Sequence, residues 1–194
     1  MSIAPTGRTT EPAFGGHHRL AKTLMDRGGA AVLLLVAAPW MAVIALAVWL
    51  DGSGPVLTRE PRIGQWGRQF RLLRFRSPVA SGSGTERGHT RLGHFLRRWS
   101  LDELPQLVYV VKGDMSFVGP RPRATHSGGQ YGSDLRRLLL KPGLTGLWRE
   151  SGRSGRSDDE PVELDWYLQH WSVALDLAIL WRAVRGVLRR AAVH

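Results

Sequence analysis

The sequence predicts an α+β fold, mostly helical and attached to a membrane through one N-terminal apolar segment. Three observations carry this. The run from Gly28 to Leu50, GGAAVLLLVAAPWMAVIALAVWL, holds no charge and as a helix would extend roughly 35 Å, enough to cross a bilayer core. Two short stretches, Val56–Arg59 and Gln69–Phe75, read as strands joined across Gly64 to Gly67, a small β-hairpin. Helical patterns fill much of the remainder and end in a basic, apolar C-terminal segment.

The chain has 194 residues, room for one compact domain plus an appendage. Hydrophobic residues make up 43%, enough for a core, which excludes wholesale disorder. A formal net charge of +11 calls for anionic partners: nucleic acid, anionic membrane lipids or phosphorylated substrates. There is no cysteine, so disulfides, thiolate metal sites and cysteine nucleophiles are excluded. Eight tryptophans suit a membrane–water interface, where the ring is half wet.

Taken in order, residues 1–18 are rich in Thr, Gly and Pro and read as a disordered tail. The apolar segment follows, within 19–51, and has three readings. As a cleaved signal peptide it has Arg19, Lys22 and Arg27 before it and Ala45-Leu46-Ala47 as a cleavage site, but it is too long, and Arg59, Arg62 and Arg68 follow closely. As a plain spanning helix it is ordinary. As a re-entrant hairpin it would turn at Pro39, which removes a helical hydrogen bond and crowds the preceding turn. Cations at both ends favour keeping both on one side, while kinked spanning helices that contain proline keep the second reading open.

Residues 52–194 form the remaining domain. Asp51 to Pro55 is a turn, residues 79–88 are a surface loop, and helices are expected at 91–99, 101–112 and 133–140. From Pro161 to Val193 two helices are expected, broken near Ser172, with Trp166, Trp171 and Trp181 on the apolar side and Arg182, Arg185, Arg189 and Arg190 supplying charge. Such amphipathic helices can lie in the membrane interface or pack on the domain core.

Three clusters can carry chemistry. In Ser100-Leu101-Asp102-Glu103-Leu104-Pro105-Gln106, Ser100 and Glu103 have the spacing of a helix capping box. That explains neither Pro105, which weakens a helix just past its first turn, nor two adjacent acids among many arginines. One acid could attack phosphorus while the other holds a divalent cation such as Mg²⁺. In Gly119-Pro120-Arg121-Pro122, two prolines stiffen the loop around Arg121, and a fixed guanidinium suits bidentate phosphate recognition; an exposed turn would look the same. In Lys141-Pro142-Gly143-Leu144-Thr145-Gly146, backbone amides, a cation and a hydroxyl could cradle an anion, or form a plain loop.

Taken together, the clusters resemble the bacterial sugar transferases, the monotopic phosphoglycosyl transferases that act as undecaprenyl-phosphate sugar phosphotransferases. The resemblance runs from Lys22 and Asp26 through Gly54-Pro55-Val56, Arg62-Ile63-Gly64, Arg74-Phe75-Arg76-Ser77 and the acid-pair motif. It continues through Gly113-Asp114-Met115-Ser116, the Arg121 and Lys141 loops, Ser151-Gly152-Arg153-Ser154, Trp171-Ser172 and Leu175-Asp176-Leu177. It implies a monotopic protein with a re-entrant helix broken near Ala38-Pro39 and a catalytic domain on the cytoplasmic face of the bacterial plasma membrane.

It further implies that Asp102 attacks the β-phosphate of a UDP-sugar, that Glu103 holds Mg²⁺, and that polyprenyl phosphate then accepts the sugar phosphate. Arg74, Arg76, Arg97, Arg121, Lys141, Thr145 and Arg153 are the implied substrate contacts. The product would be the first lipid-linked intermediate of an exopolysaccharide, capsule, O-antigen or glycoprotein glycan. A minimal catalytic unit is expected, and a homodimer is compatible with it. The chain departs from the family pattern at Glu60, Arg74, Pro78, Tyr109, Arg149 and across Glu86 to His89. These departures keep a catalytically impaired scaffold as the alternative. A membrane-tethered nucleic-acid-binding module has only the charge in its favour, without a nucleic-acid motif, so nucleic acid is not an expected partner.

Overall fold

The computed structural model describes residues 16–52, 54–77, 90–124, 138–146 and 160–192. Helix α1 (Gly16–Leu50) opens the fold and stays helical through Pro39. The expected break at Ala38-Pro39 is therefore not an interruption of helical structure. Proline deletes one donor and crowds one turn, which can bend a helix without ending it, and the Ala- and Leu-rich flanks favour helix on both sides. The start at Gly16 also carries helix into the last residues of the expected tail.

Both ends of α1 rest on the same domain. Near its start Lys22, Asp26 and Ala30 are buried; near its end Val48 is buried. Arg76 Nη2 donates to the carbonyls of Val48 (2.9 Å) and Gly52 (2.7 Å), and Thr90 Oγ1 donates to Asp51 Oδ2 (2.7 Å). Between these anchors Leu34 still touches the core, but most large apolar side chains face outward, with Leu35 78% and Trp40 68% exposed. Pulled straight, its 35 residues would reach about 52 Å.

The expected hairpin is present. Strands β1 (Leu57–Ile63) and β2 (Gln69–Phe75) pair antiparallel in full register from Leu57 opposite Phe75 to Ile63 opposite Gln69. β1 runs four residues beyond the expected end, because β2 offers it a partner along its whole length. A short turn at Gln65–Gly67 joins them, with Trp66 in the left-handed region (φ 59°). Strand β4 (Arg123–Ala124) adds to the other edge of β1 at Arg62 and Ile63, giving the order β2-β1-β4.

Helix α2 (Arg91–Arg98) starts where Thr90 Oγ1 accepts the Gly93 amide at 3.1 Å. The helix expected over 101–112 divides instead into a 3-10 segment (Leu101–Gln106) and α3 (Leu107–Lys112). Pro105 has no N–H to give back along the chain, so a regular α-helical start is denied there. α3 ends on Gly113, whose φ of 89° favours glycine.

Strands β3 (Ser116–Val118) and β5 (Gly143–Thr145) form a separate parallel pair. Their continuations cross closely: the Gly119 amide donates to the Thr145 carbonyl (3.0 Å) and the Gly143 amide to the Pro120 carbonyl (2.9 Å). A Cβ on either glycine would run into the other strand's backbone.

Helices α4 (Glu160–His170) and α5 (Val173–Ala192) break where expected, and Ser172 Oγ caps α5 by accepting the Leu175 amide at 3.1 Å. α5 buries Ile179 and Asp176 but leaves Leu177, Trp181, Val184 and Leu188 exposed. One core joins Ala30, Leu72, Val110, Phe117, Leu164 and Ile179. The expected loop at 79–88 and most of the expected helix at 133–140 lie outside the described residues.

Candidate active site

Asp102 sits in the 3-10 segment directly after α2, with only 6% of its surface exposed. Ser100, just before it, adopts a left-handed conformation (φ 53°) and makes no side-chain cap. The capping-box reading therefore fails, since a capping serine needs extended backbone. Without that cap, the turn at Ser100 swings Asp102 inward under β2.

From β2, Arg74 reaches both acids. Its Nη1 lies 3.6 Å from Asp102 Oδ2, and its Nη2 is ion-paired with Glu103 Oε1. Burial pushes the Asp102 carboxyl up from its ordinary value, and neighbouring Glu103 adds to this; Arg74 and Arg97 pull it back. Burial thus opposes ionisation of Asp102, and Arg74 offsets part of that cost.

Arg97, in the last turn of α2, is exposed and close enough to act electrostatically on Asp102 and on Glu60. Glu60 pairs with Arg62 on β1, and that bond holds its carboxyl below the ordinary range, helped by Arg74 and Arg97. Arg62 Nη1 also donates to the Pro122 carbonyl (3.3 Å), which ties the Arg121 loop to the sheet edge. Pro120 and Pro122 are buried and Arg121 between them is exposed, as a presented guanidinium should be.

Arg76, Lys141 and Thr145 take other roles or positions. Arg76 holds the C-terminal end of α1, as described above. Lys141 is half-buried and lines a different cavity, to which none of Asp102, Glu103, Arg74 and Arg97 contributes. Thr145 is buried, and its hydroxyl has no hydrogen-bond partner among the described residues. Arg153 lies outside the described residues. Tyr109 has a structural account: its hydroxyl donates to the Arg71 carbonyl and its ring meets Phe70 edge-on at 5.5 Å, packing α3 on β2.

A buried network escaped the reading of the sequence. Lys22 Nζ contacts Asp176 Oδ2 (2.7 Å), Asp26 Oδ1 (3.3 Å) and the Val118 carbonyl (3.4 Å). Asp176 also accepts from Tyr167 (2.7 Å) and Trp171 Nε1 (3.2 Å), and Asp26 accepts from Ser116 Oγ (2.8 Å) and the Phe117 amide (3.3 Å). Burial, then Asp176, raises the Tyr167 phenol above its ordinary value. The signal was a charged pair four residues apart before an apolar run, together with a lone acid inside the amphipathic C-terminal segment.

Fold and site define a small α+β domain tied at two points to one long apolar helix, with two adjacent carboxylates under an arginine cluster. A family model described as bacterial sugar transferase matches residues 17–190, and the chain belongs to that family. It is 38% identical over 197 residues to the UDP-galactose-lipid carrier transferase of Erwinia amylovora, covering 89% of this chain and 41% of that one. It is 36% identical to the UDP-glucose:undecaprenyl-phosphate glucose-1-phosphate transferase of Escherichia coli K12, over 99% of this chain and 46% of that one. A Caulobacter vibrioides protein of the same name is 37% identical over 87% of this chain and 70% of its own length. The chain thus spans less than half the length of the first two relatives.

Proposed function

We propose that this chain transfers a sugar 1-phosphate from a UDP-sugar to a polyprenyl phosphate, releasing UMP, at the cytoplasmic face of a bacterial membrane. The observation that carries the reading is Asp102: a buried carboxylate, raised by burial and faced by Arg74, in a family whose relatives are named for this transfer. An Asp102 carboxylate oxygen attacks the β-phosphorus of the UDP-sugar. The bond from that phosphorus to the bridging oxygen breaks, and the electron pair leaves with UMP. A phosphate oxygen of the polyprenyl phosphate then attacks the same phosphorus, breaking its bond to Asp102 and restoring the carboxylate.

Arg97 and Arg121 are proposed to hold the diphosphate, and Arg74 to steady both acids between the two half-reactions. Mg²⁺ is the proposed cofactor. The two carboxylates that Arg74 holds are the adjacent Asp102 and Glu103, and no cluster of three or more His, Cys, Asp or Glu residues that could hold a metal occurs among the described residues. That donor set suits an ion bound by one or two carboxylates whose shell is completed by water and phosphate oxygens. When bound it would neutralise the diphosphate. Glu103 would hold it, exchanging the Arg74 contact for the ion.

We further propose that α1 enters the membrane and returns on the same side. Its two ends are anchored to one domain, and its middle exposes large apolar side chains such as Leu35 and Trp40. Both anchors on one side would keep Asp102 at the surface where a lipid phosphate lies. The deciding experiment measures UMP release from a panel of UDP-sugars by the purified chain with polyprenyl phosphate and Mg²⁺. No UMP from any of them, in preparations that retain the folded state, would reject the proposal.

A further inference from the structure

Away from the acid pair, the first turns of α1, the turn at Gln65–Gly67 and the segment around Lys141 enclose a cavity of about 450 Å³. Four cations line it, Arg19, Lys22, Arg27 and Lys141, against one carboxylate, Asp26. The two acids that could neutralise them are already engaged. Asp26 accepts from Lys22, Ser116 and Phe117, and Asp176, behind the wall, accepts from Lys22, Tyr167 and Trp171. Counting both acids, two positive charges remain in excess. Arg19 and Lys141 make no ion pair among the described residues, and Arg27 spends one nitrogen on the Lys112 carbonyl (3.3 Å).

From this geometry we infer a second anion site, which binds a phosphate oxyanion from either a lipid headgroup or soluble phosphate. The like-charged neighbours support it: burial, then Arg27, and also Arg19, drive the Lys141 ammonium below its ordinary value, while Asp26 and Asp114 offset part of that. A bound phosphate would relieve that repulsion. The position suits a headgroup in particular. The cavity ends at Arg27, and exposed Val32, in the uncharged part of α1, lies about 7.5 Å further along the helix. Basic pockets at that depth bind anionic lipid headgroups. Exposed Trp66 stands at the lining, where an indole is at home beside headgroups. The site does not depend on the proposed transferase chemistry.

The test uses the full chain in detergent micelles and counts retained lipid by native mass spectrometry. With phosphatidylglycerol and phosphatidylcholine offered together, the unaltered chain should retain phosphatidylglycerol, because the choline ammonium is repelled by the cations. Arg19→Gln, an exposed change that leaves the core alone, and Lys141→Gln should each weaken retention roughly fivefold. Arg71→Gln removes the same charge from an exposed position outside both sites and should retain the lipid as the unaltered chain does. Competition by inorganic phosphate would show that the oxyanion itself is read. Binding of inorganic phosphate without preference for phosphatidylglycerol would assign the soluble source. Equal losses in Arg71→Gln and Arg19→Gln, or no loss in Arg19→Gln and Lys141→Gln, would overturn the site.

Discussion

Lys22 and Asp176, 154 positions apart in the chain, meet in a buried ion pair of 2.7 Å that fastens the start of α1 to the start of α5. Removing Lys22 leaves the fully buried Asp176 charged without its cation. Lys22→Met should therefore lower the stability by about 3–5 kcal/mol, read as a fall in the denaturation midpoint. The double change Lys22→Met with Asp176→Leu should recover much of that loss. If the single variant unfolds like the unaltered chain, the pair is not an anchor.

The two acids should have unequal roles. Asp102→Asn should abolish both UMP release and lipid product, because the attacking oxygen is gone. Glu103→Gln should keep residual activity and need more Mg²⁺ for half-maximal rate. A phosphosugar trapped on any residue other than Asp102 would overturn the assignment.

Acid titration should read Asp102 directly. Its carboxyl is raised in the folded chain, above an unfolded value of about 3.9. Activity needs the ionised form, so it should climb as pH rises through the raised value. Arg74→Met removes the main influence that lowers it and should move that acid limb to higher pH. Stability runs the other way. Across the window between the two values the folded chain holds a proton that the unfolded chain has lost. The contribution is complete below the unfolded value and is lost as pH rises through the folded one. Asp102→Asn should flatten that decline and leave the inactive variant relatively more stable at neutral pH; a steeper decline would contradict the burial argument.

Arg121→Lys keeps the charge and loses the fork. It should cut turnover by on the order of tenfold or more without lowering the unfolding midpoint. Near-normal turnover would make Arg121 an ordinary loop residue.

Topology is open to labelling, because the chain has no cysteine to interfere. A single Thr6→Cys should resist an impermeant thiol reagent in intact cells and react after lysis. Pro39→Ala restores a hydrogen bond and removes a clash, so a fraction of that variant should react from outside. Labelling of Thr6→Cys alone in intact cells would mean that α1 spans the membrane.

The β1–β2 hairpin, α2 and the break at Ser172 were legible because each rests on local chemistry: strand formers around a glycine turn, a Thr cap, a Ser cap. The acid pair was legible because two carboxylates beside a proline do not suit an ordinary helix. β3, β4 and β5 were not legible, since three residues or fewer show no period and exist only through their partners. Ser100 misled because capping-box spacing says nothing about φ, which is positive here. Arg76 and Lys141 were grouped with the acids by the resemblance, yet Arg76 closes the end of α1 and Lys141 faces the other cavity. Local sequence cannot show which side of a short loop a cation takes.

The crossing at Gly119 and Gly143 makes the Arg121 loop and the Lys141 segment a single inherited part. Neither can be exchanged between relatives alone, because each backbone is shaped against the other at van der Waals range. A side chain introduced at either glycine would therefore disturb both segments together, so the proposed diphosphate contact at Arg121 and the second anion site at Lys141 would fail as one.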